Sequence, residues 1–422
     1  MNSPSGLILS APSSGSGKTT ITLGILAALR RAGTPVRAAK SGPDYIDPRF
    51  HAAATGTECI NLDAWAMTPD RIRALAQGPG TLIVEGAMGL FDGAPPDGKG
   101  STADLARILK VPVVLILDVA KQAQSVAALA QGFAQHADDV HVAGLILNRV
   151  GSPRHEKMLR RALEPLGLPI IGAIPRVADI ATPSRHLGLV QAAERADLTE
   201  FIAKAADILS ESLDLNLLYT LASPVAQAKN AGHQVPPPAQ RLSIANDQAF
   251  AFAYPHLLSD WRDSGAEIGF FSPLADEPPD PADLVILPGG YPELHAGKLA
   301  ANEVFLTGLR NATAVYGECG GYMVLGEGLV DADGTRHAMA RLLRLETSFA
   351  QRKLHLGYRT LNASDGPFPG AYTAHEFHYA TTLMAAGPPL FSAKDAEGSA
   401  LPDMGLQHGT ASGSFAHIID RA

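Results

Sequence analysis

Gly6–Thr20 reads GLILSAPSSGSGKTT, and this stretch decides the fold of the first half of the chain. A short apolar run, Gly6–Ala11, is strand material. A loop of glycine and serine follows, and Thr19–Ala32 is rich in Ala and Leu, a helix closed by Gly33. Strand, glycine loop and helix in that order make a phosphate-binding loop. Gly15 and Gly17 let the backbone curl so that its N–H groups converge on phosphate oxygens. Lys18 is expected to reach the β- and γ-phosphates of ATP and the Thr19 hydroxyl to bind Mg²⁺, with Ser16 and Thr20 completing the loop's contacts. Only the GKT end follows the usual pattern, because the motif's first glycine falls on Pro12.

Outward from that loop, apolar runs recur at Val36–Ala39, Thr81–Glu85, Val111–Asp118, Val142–Asn148 and Ile170–Ile174. Near-continuous Val, Ile and Leu without polar alternation predicts parallel strands buried on both faces. Helical stretches such as Lys121–His136 and His155–Leu166 fill the gaps, which gives an α/β class. Glu85 ends the strand TLIVE, at the carboxyl edge where a P-loop enzyme needs an acid near Mg²⁺. Lys40 ends the preceding strand and faces the same edge. Beyond it, Asp44 and Asp47 flank Tyr45 in a Pro-bounded loop, suited to holding Mg²⁺ or a substrate.

The α/β rhythm stops at Ser223–Gln240, SPVAQAKNAGHQVPPPAQ, whose three consecutive prolines predict a stiff polar spacer. The expected organisation is therefore a first domain over residues 1–221, a linker over 222–241 and a second domain over 242–422. A second α/β series follows at Leu242–Asn246, Glu267–Phe271, Asp283–Leu287, Ala314–Tyr316 and Ala411–His417. Asp333–Gly334 marks a hairpin turn and hence antiparallel strands late in the chain. Within this half, YGECGGY (Tyr316–Tyr322) places Cys319 between a short strand and a helical stretch, the elbow layout of an acyl-transfer nucleophile. The helix start is expected to lower the thiol pKa. His417 is the candidate base. The paired glycines of ILPGGY, Gly289 and Gly290, with Gly320 beside the cysteine, are candidates for an oxyanion hole. Cys59 lacks such surroundings and reads as a small core residue.

Composition sets bounds. The 422 residues suit two or three domains, and a net charge of −8 argues against a nucleic-acid partner. Two distant cysteines fit a reducing compartment. Neither a signal peptide nor a membrane-spanning run of about 18 apolar residues is read, so the expected location is the cytoplasm.

Together the stretches SGSGKTT, KSGPDYIDPRFH, VEGAMGLFDG, PGGYPE, YGECGGYM, HEFHY and SFAHI strongly resemble the cobyrinic and hydrogenobyrinic acid a,c-diamide synthase family. The resemblance implies an N-terminal P-loop NTPase domain of the dethiobiotin synthetase type and a C-terminal class I glutamine amidotransferase domain. It implies a ligase that amidates the a and c carboxylates of a corrin ring, taking nitrogen from glutamine and energy from ATP. Family roles carry onto Cys319 and His417 as nucleophile and base, and onto Thr19, Asp44 and Glu85 as Mg²⁺ ligands. Tyr45, Asp47, Asp92, His375 and His378 become substrate contacts, and Asn148 an adenine-reading position. A homodimer is the common assembly of such folds. One departure stands out: the acid that triad amidotransferases carry two residues after the histidine is Ile419 here. The rival readings are an amidase of another tetrapyrrole acid and, further off, a P-loop switch carrying an inactive glutaminase fold as a binding module.

Overall fold

The computed structural model describes residues 4–176, 184–185, 188–189, 191–230 and 234–422. Residues 231–233 of the proline-rich stretch, and the first three residues of the chain, lie outside the described residues. The chain divides into two compact units, Met1–Gly232 and His233–Ala422.

The first unit is built on strands β1 (Ser5–Ser10), β2 (Val36–Ser41), β3 (Ile60–Leu62), β4 (Thr81–Glu85), β5 (Val113–Asp118), β6 (Val142–Val150) and β7 (Ile170–Pro175). They pair in the order β3-β2-β4-β1-β5-β6-β7, and all of these pairings are parallel. Leu7 to Leu9 and Val113 to Leu117 are fully buried. The unbroken apolar runs thus follow from a sheet covered on both faces. Strand β1 lies between β4 and β5, so the chain leaves in opposite directions on its two sides and opens a crevice at its carboxyl end. Helix α1 (Lys18–Arg31) starts there. The stretch expected to open a detached spacer is partly tied down: Ser223 and Pro224 pair antiparallel with Gly6 and Ser5, and Val225 is buried.

The helix expected from Lys121 begins only at Val126. Asp118 accepts a hydrogen bond from the Ala120 amide, and that turn uses the residues between.

In the second unit, β8 (Arg241–Ala245), β9 (Glu267–Phe271), β10 (Leu284–Leu287) and β11 (Val315–Glu318) are parallel neighbours in the order β9-β8-β10-β11. A separate antiparallel sheet pairs β12 (His355–Ala363) with β13 (Gly370–His378). The strand expected over Ala411–His417 is in fact two strands in two sheets. Strand β14 (Ala411–Ser414) pairs parallel with β11, and β15 (Ala416–Arg421) pairs antiparallel with β13. The break has a local cause: the Ser414 hydroxyl accepts the Ala416 amide at 3.2 Å, which turns the chain at Phe415. His417 therefore opens a strand and does not close one. The Asp333–Gly334 turn does join antiparallel strands, with Gly334 at φ 84° and Asp331 accepting the amides of Asp333 and Thr335.

Candidate functional sites

The loop between β1 and α1 has left-handed backbone at Gly15 (φ 78°) and Gly17 (φ 89°), as a phosphate cradle needs. A cavity of about 580 Å³ opens beside it, lined by residues that include Gly15, Lys18, Thr20, Lys40, Glu85 and Asn148. Lys18 Nζ donates to the carbonyls of Ser13 (3.1 Å) and Met88 (2.5 Å). Burial holds its pKa down at about 8. Asn148 donates its amide to the Ser16 carbonyl at 2.8 Å and packs against Gly17, where a Cβ would overlap Nδ2. The side chain braces the loop and also lines the cavity.

Oxygen donors gather at the mouth of this crevice. Thr19 Oγ1 donates to Glu85 Oε1 at 2.6 Å and to Asp47 Oδ2 at 3.2 Å. The Lys40 ammonium stands among three carboxylates, 2.6 Å from Asp47, 3.1 Å from Glu85 and 3.6 Å from Asp44. Burial alone would push Lys40 down, but the three acids outweigh it and hold it well above its usual value. Burial likewise opposes the Glu85 charge, yet Lys40, His51 and Thr19 bring its pKa to about 2. Burial and Asp44 raise Asp47 well above the carboxylate range. The Thr19 hydroxyl and the three carboxylates form a hard, all-oxygen donor set of the chemistry that Mg²⁺ takes. Asp47, read from the sequence as a substrate contact, belongs to this cluster. Asp44 is held by an Asx turn, its Oδ1 accepting the Ile46 amide at 2.7 Å. Asp92 Oδ2 is spent on the Gly89 amide at 3.0 Å, which shapes the GLFDG turn. Tyr45 lies in the same Pro-bounded loop.

His51 escaped the sequence reading. Its Nε2 meets Glu85 Oε2 at 2.5 Å, with both groups buried. It sits four residues after Asp47 on helix α2 (Asp47–Thr55), so the two share a face. That spacing was the available signal.

In the second unit Cys319 joins β11 to helix α3 (Gly320–Leu325) with φ 47° and ψ −103°, a strained left-handed residue at a sharp elbow. Its amide donates to the Ser414 carbonyl at 2.8 Å, which ties the elbow to β14. The thiol faces the Phe377 carbonyl at 3.8 Å. The expected lowering of its pKa is overturned: burial pushes the thiol up, and Glu293 adds to this, against one opposing hydrogen bond from the Gly320 backbone. A six-residue helix does not offset that burial. Small residues make the surroundings possible. A Cβ on Gly289 would overlap the His417 imidazole, and one on Gly320 would stand 3.1 Å from the Gly290 amide nitrogen. The elbow, the paired glycines and the base thus converge, although their residues come from three segments.

The two histidines read as substrate contacts lie on β13. His375 pairs across the ladder with His417 and packs edge-on against Tyr358. His378 meets Glu376 Oε1 at 3.0 Å, while Arg359 grips Glu376 Oε2 at 2.7 Å. His355, Glu376 and His378 bring potential metal-ligand atoms within 4.8 Å of one another. Their carboxylate is already bonded on both oxygens, and His355 stacks on His378 with ring centroids 4.6 Å apart. Cys59 is a buried core residue.

These two sites define a class: a P-loop nucleotide-binding unit joined to a glutamine amidotransferase unit. Residues 7–190 match the CobQ/CobB/MinD/ParA nucleotide binding domain, and residues 241–421 match the CobB/CobQ-like glutamine amidotransferase domain. Hydrogenobyrinate a,c-diamide synthase of Brucella anthropi is 54% identical, with 98% of each chain covered. The proteins of that name from a Sinorhizobium species and from Rhodobacter capsulatus are 52% and 51% identical, with 99% of each chain covered. The chain belongs to the hydrogenobyrinate a,c-diamide synthase family, and it is a glutamine-dependent, amide-forming ligase. Among the described residues no helix is long and apolar enough to cross a membrane.

Proposed function

We propose that this ligase converts the a and c side-chain carboxylates of hydrogenobyrinate to amides, with ATP as phosphoryl donor and glutamine as nitrogen donor, in the cytoplasm. The observation that carries the reading is similarity along the whole chain to synthases of that name, joined to two sites whose chemistries complement each other. We assign residues 1–221 to phosphoryl transfer, 222–241 to the linker and 242–422 to ammonia release.

In the glutaminase unit Cys319 Sγ attacks the glutamine amide carbon while His417 takes the thiol proton and passes it to the departing nitrogen. A thioester and ammonia result, and water then releases glutamate. The amides of Gly290 and Gly320 are suited to stabilise the tetrahedral oxyanion. In the P-loop unit Lys18 and the amides from Gly15 to Thr20 bind the phosphates of ATP. The corrin carboxylate attacks the γ-phosphorus, giving an acyl phosphate and ADP. Ammonia attacks the acyl carbon, phosphate leaves, and the amide remains. Mg²⁺ bound with ATP supplies neutralisation of phosphate charge, and Thr19, Asp44, Asp47 and Glu85 are the residues that would hold it. Lys40, held beside the same acids, is suited to add positive charge at this edge of the site. Water must be kept from the acyl phosphate.

The test is a mass count of amides formed from hydrogenobyrinate, or its cobalt-containing counterpart, with ATP, Mg²⁺ and either glutamine or ammonia. Two amides on the metal-free acid are expected. Cys319→Ser is expected to lose product with glutamine and keep it with ammonia. No amide on either acid would overturn the substrate, and loss of both nitrogen sources would make the cysteine structural.

A further inference from the structure

This inference rests on the proposed role of His417 as the base. An imidazole that takes a proton from a thiol needs its other nitrogen oriented, a task that falls to a third group in such sites. The residue two positions on, Ile419, is apolar and fully buried. It falls in an irregularity of the β13–β15 ladder, between the Ile418–Ala374 and Asp420–Thr373 pairs. Its carbonyl accepts from buried His256 at 2.8 Å. Nothing at that position can orient a ring.

A carboxylate reaches the imidazole from the opposite side. Glu318, the residue just before the nucleophile, has Oε2 3.6 Å from His417 Nδ1, with the two side chains 14% and 2% exposed. Its other oxygen is fixed: Oε1 accepts the Ile418 amide at 3.2 Å and the Tyr316 hydroxyl at 3.4 Å. One carboxylate thus clasps the backbone next to the base while presenting its second oxygen to the ring. The separation is long for a hydrogen bond, as such contacts often are before substrate binds. Opposite the ring, Gly289 leaves no slack, since even a methyl group there would overlap it.

We infer that Glu318 is the positioning residue for His417, so that the strand delivering the nucleophile also delivers the acid that orients the base. Nδ1 then carries its proton toward Glu318, and Nε2 is left as the acceptor for the thiol proton. The carboxylate stabilises the imidazolium formed in the step. The titratable groups that neighbouring elements bring to this site are Glu318 beside the ring, His375 opposite His417 on β13, and Cys319 with Glu293 and Glu376 acting on its thiol.

The experiment is the glutaminase rate of the full chain across pH for the parent protein, Glu318→Gln, Glu318→Asp and Cys319→Ser, with unfolding midpoints for each. Glu318→Gln keeps an acceptor for the Ile418 amide but removes the charge. Its kcat is expected to fall by about 10²-fold or more, with KM for glutamine changed by less than about threefold. Because the imidazolium loses its counter-charge, the acidic limb of kcat/KM should move about one unit to lower pH. Glu318→Asp should restore that limb and recover part of kcat. A Glu318→Gln profile that superimposes on the parent, with Cys319→Ser inactive, overturns the inference and leaves the glutaminase reading standing. A fall in rate with an unmoved limb and a lowered midpoint also overturns it, since the role is then structural. Full glutaminase activity in Cys319→Ser removes the thiol reading itself, and this inference with it.

Discussion

In the P-loop unit Lys40, Asp44, Asp47, Glu85 and Thr19 hold one another at 2.6–3.6 Å. In the glutaminase unit burial favours the protonated Cys319 thiol on a strained elbow, and the His417 imidazole rests against a glycine. One site is a network of charged groups already in contact. The other has almost no charge at its reactive atom and must generate it. Preorganisation therefore lives in side-chain electrostatics in the first unit and in backbone shape in the second.

That contrast can be broken by substitution. Lys18→Ala or Glu85→Ala is expected to cut amide formation by about 10³-fold or more with glutamine and with ammonia alike. Product with ammonia in either variant would move the ATP site elsewhere. Gly289→Ala tests the opposite principle, since it adds one methyl and changes no charge. Glutaminase should fall by about 10²-fold as the imidazole is displaced, and a parent-like rate would show that the ring has room. Ammonia-dependent amidation measures whether the two effects separate.

A milder probe is pH. Burial holds Lys18 at about 8, so its charge is lost as pH rises through that value and KM for ATP should climb several-fold between about pH 7 and 9. In the unfolded chain this lysine stays protonated to its usual 10.5. The unfolded state then binds more protons between the two values, and this group's effect favours folding as pH rises across them. A flat KM profile would mean that another group meets the phosphates.

The smallest effect is structural. Burial opposes the Glu376 charge, but His378 and Arg359 hold its pKa at about 2. Its stabilisation is present above the usual 4.5 and is lost as pH falls toward 2. Glu376→Gln should cost about 1–3 kcal/mol at neutral pH, with the gap from the parent closing in acid. An equal gap at both pH values would show that packing, not charge, is at stake.

What the sequence made legible follows the same divide. The phosphate loop, Glu85 and the parallel strands are local patterns, each contained in one short segment. The Gly-rich elbow around Cys319 was legible for the same reason. Contacts made by folding were not. His51 reaches Glu85 from a helix 34 residues away. Glu318 reaches His417 across 99 residues of chain, as the numbering gives. The break at Phe415 depends on a single serine hydroxyl that no periodicity reports. The thiol's raised pKa also needed the fold, since burial is a property of everything packed around it.

Burial of the Cys319 sulfur has a consequence for the idle enzyme. Peroxide and electrophiles react with thiolates, and a neutral, 4% exposed thiol offers them little. A resting molecule would therefore survive oxidants that disable exposed low-pKa cysteines, becoming vulnerable only during turnover.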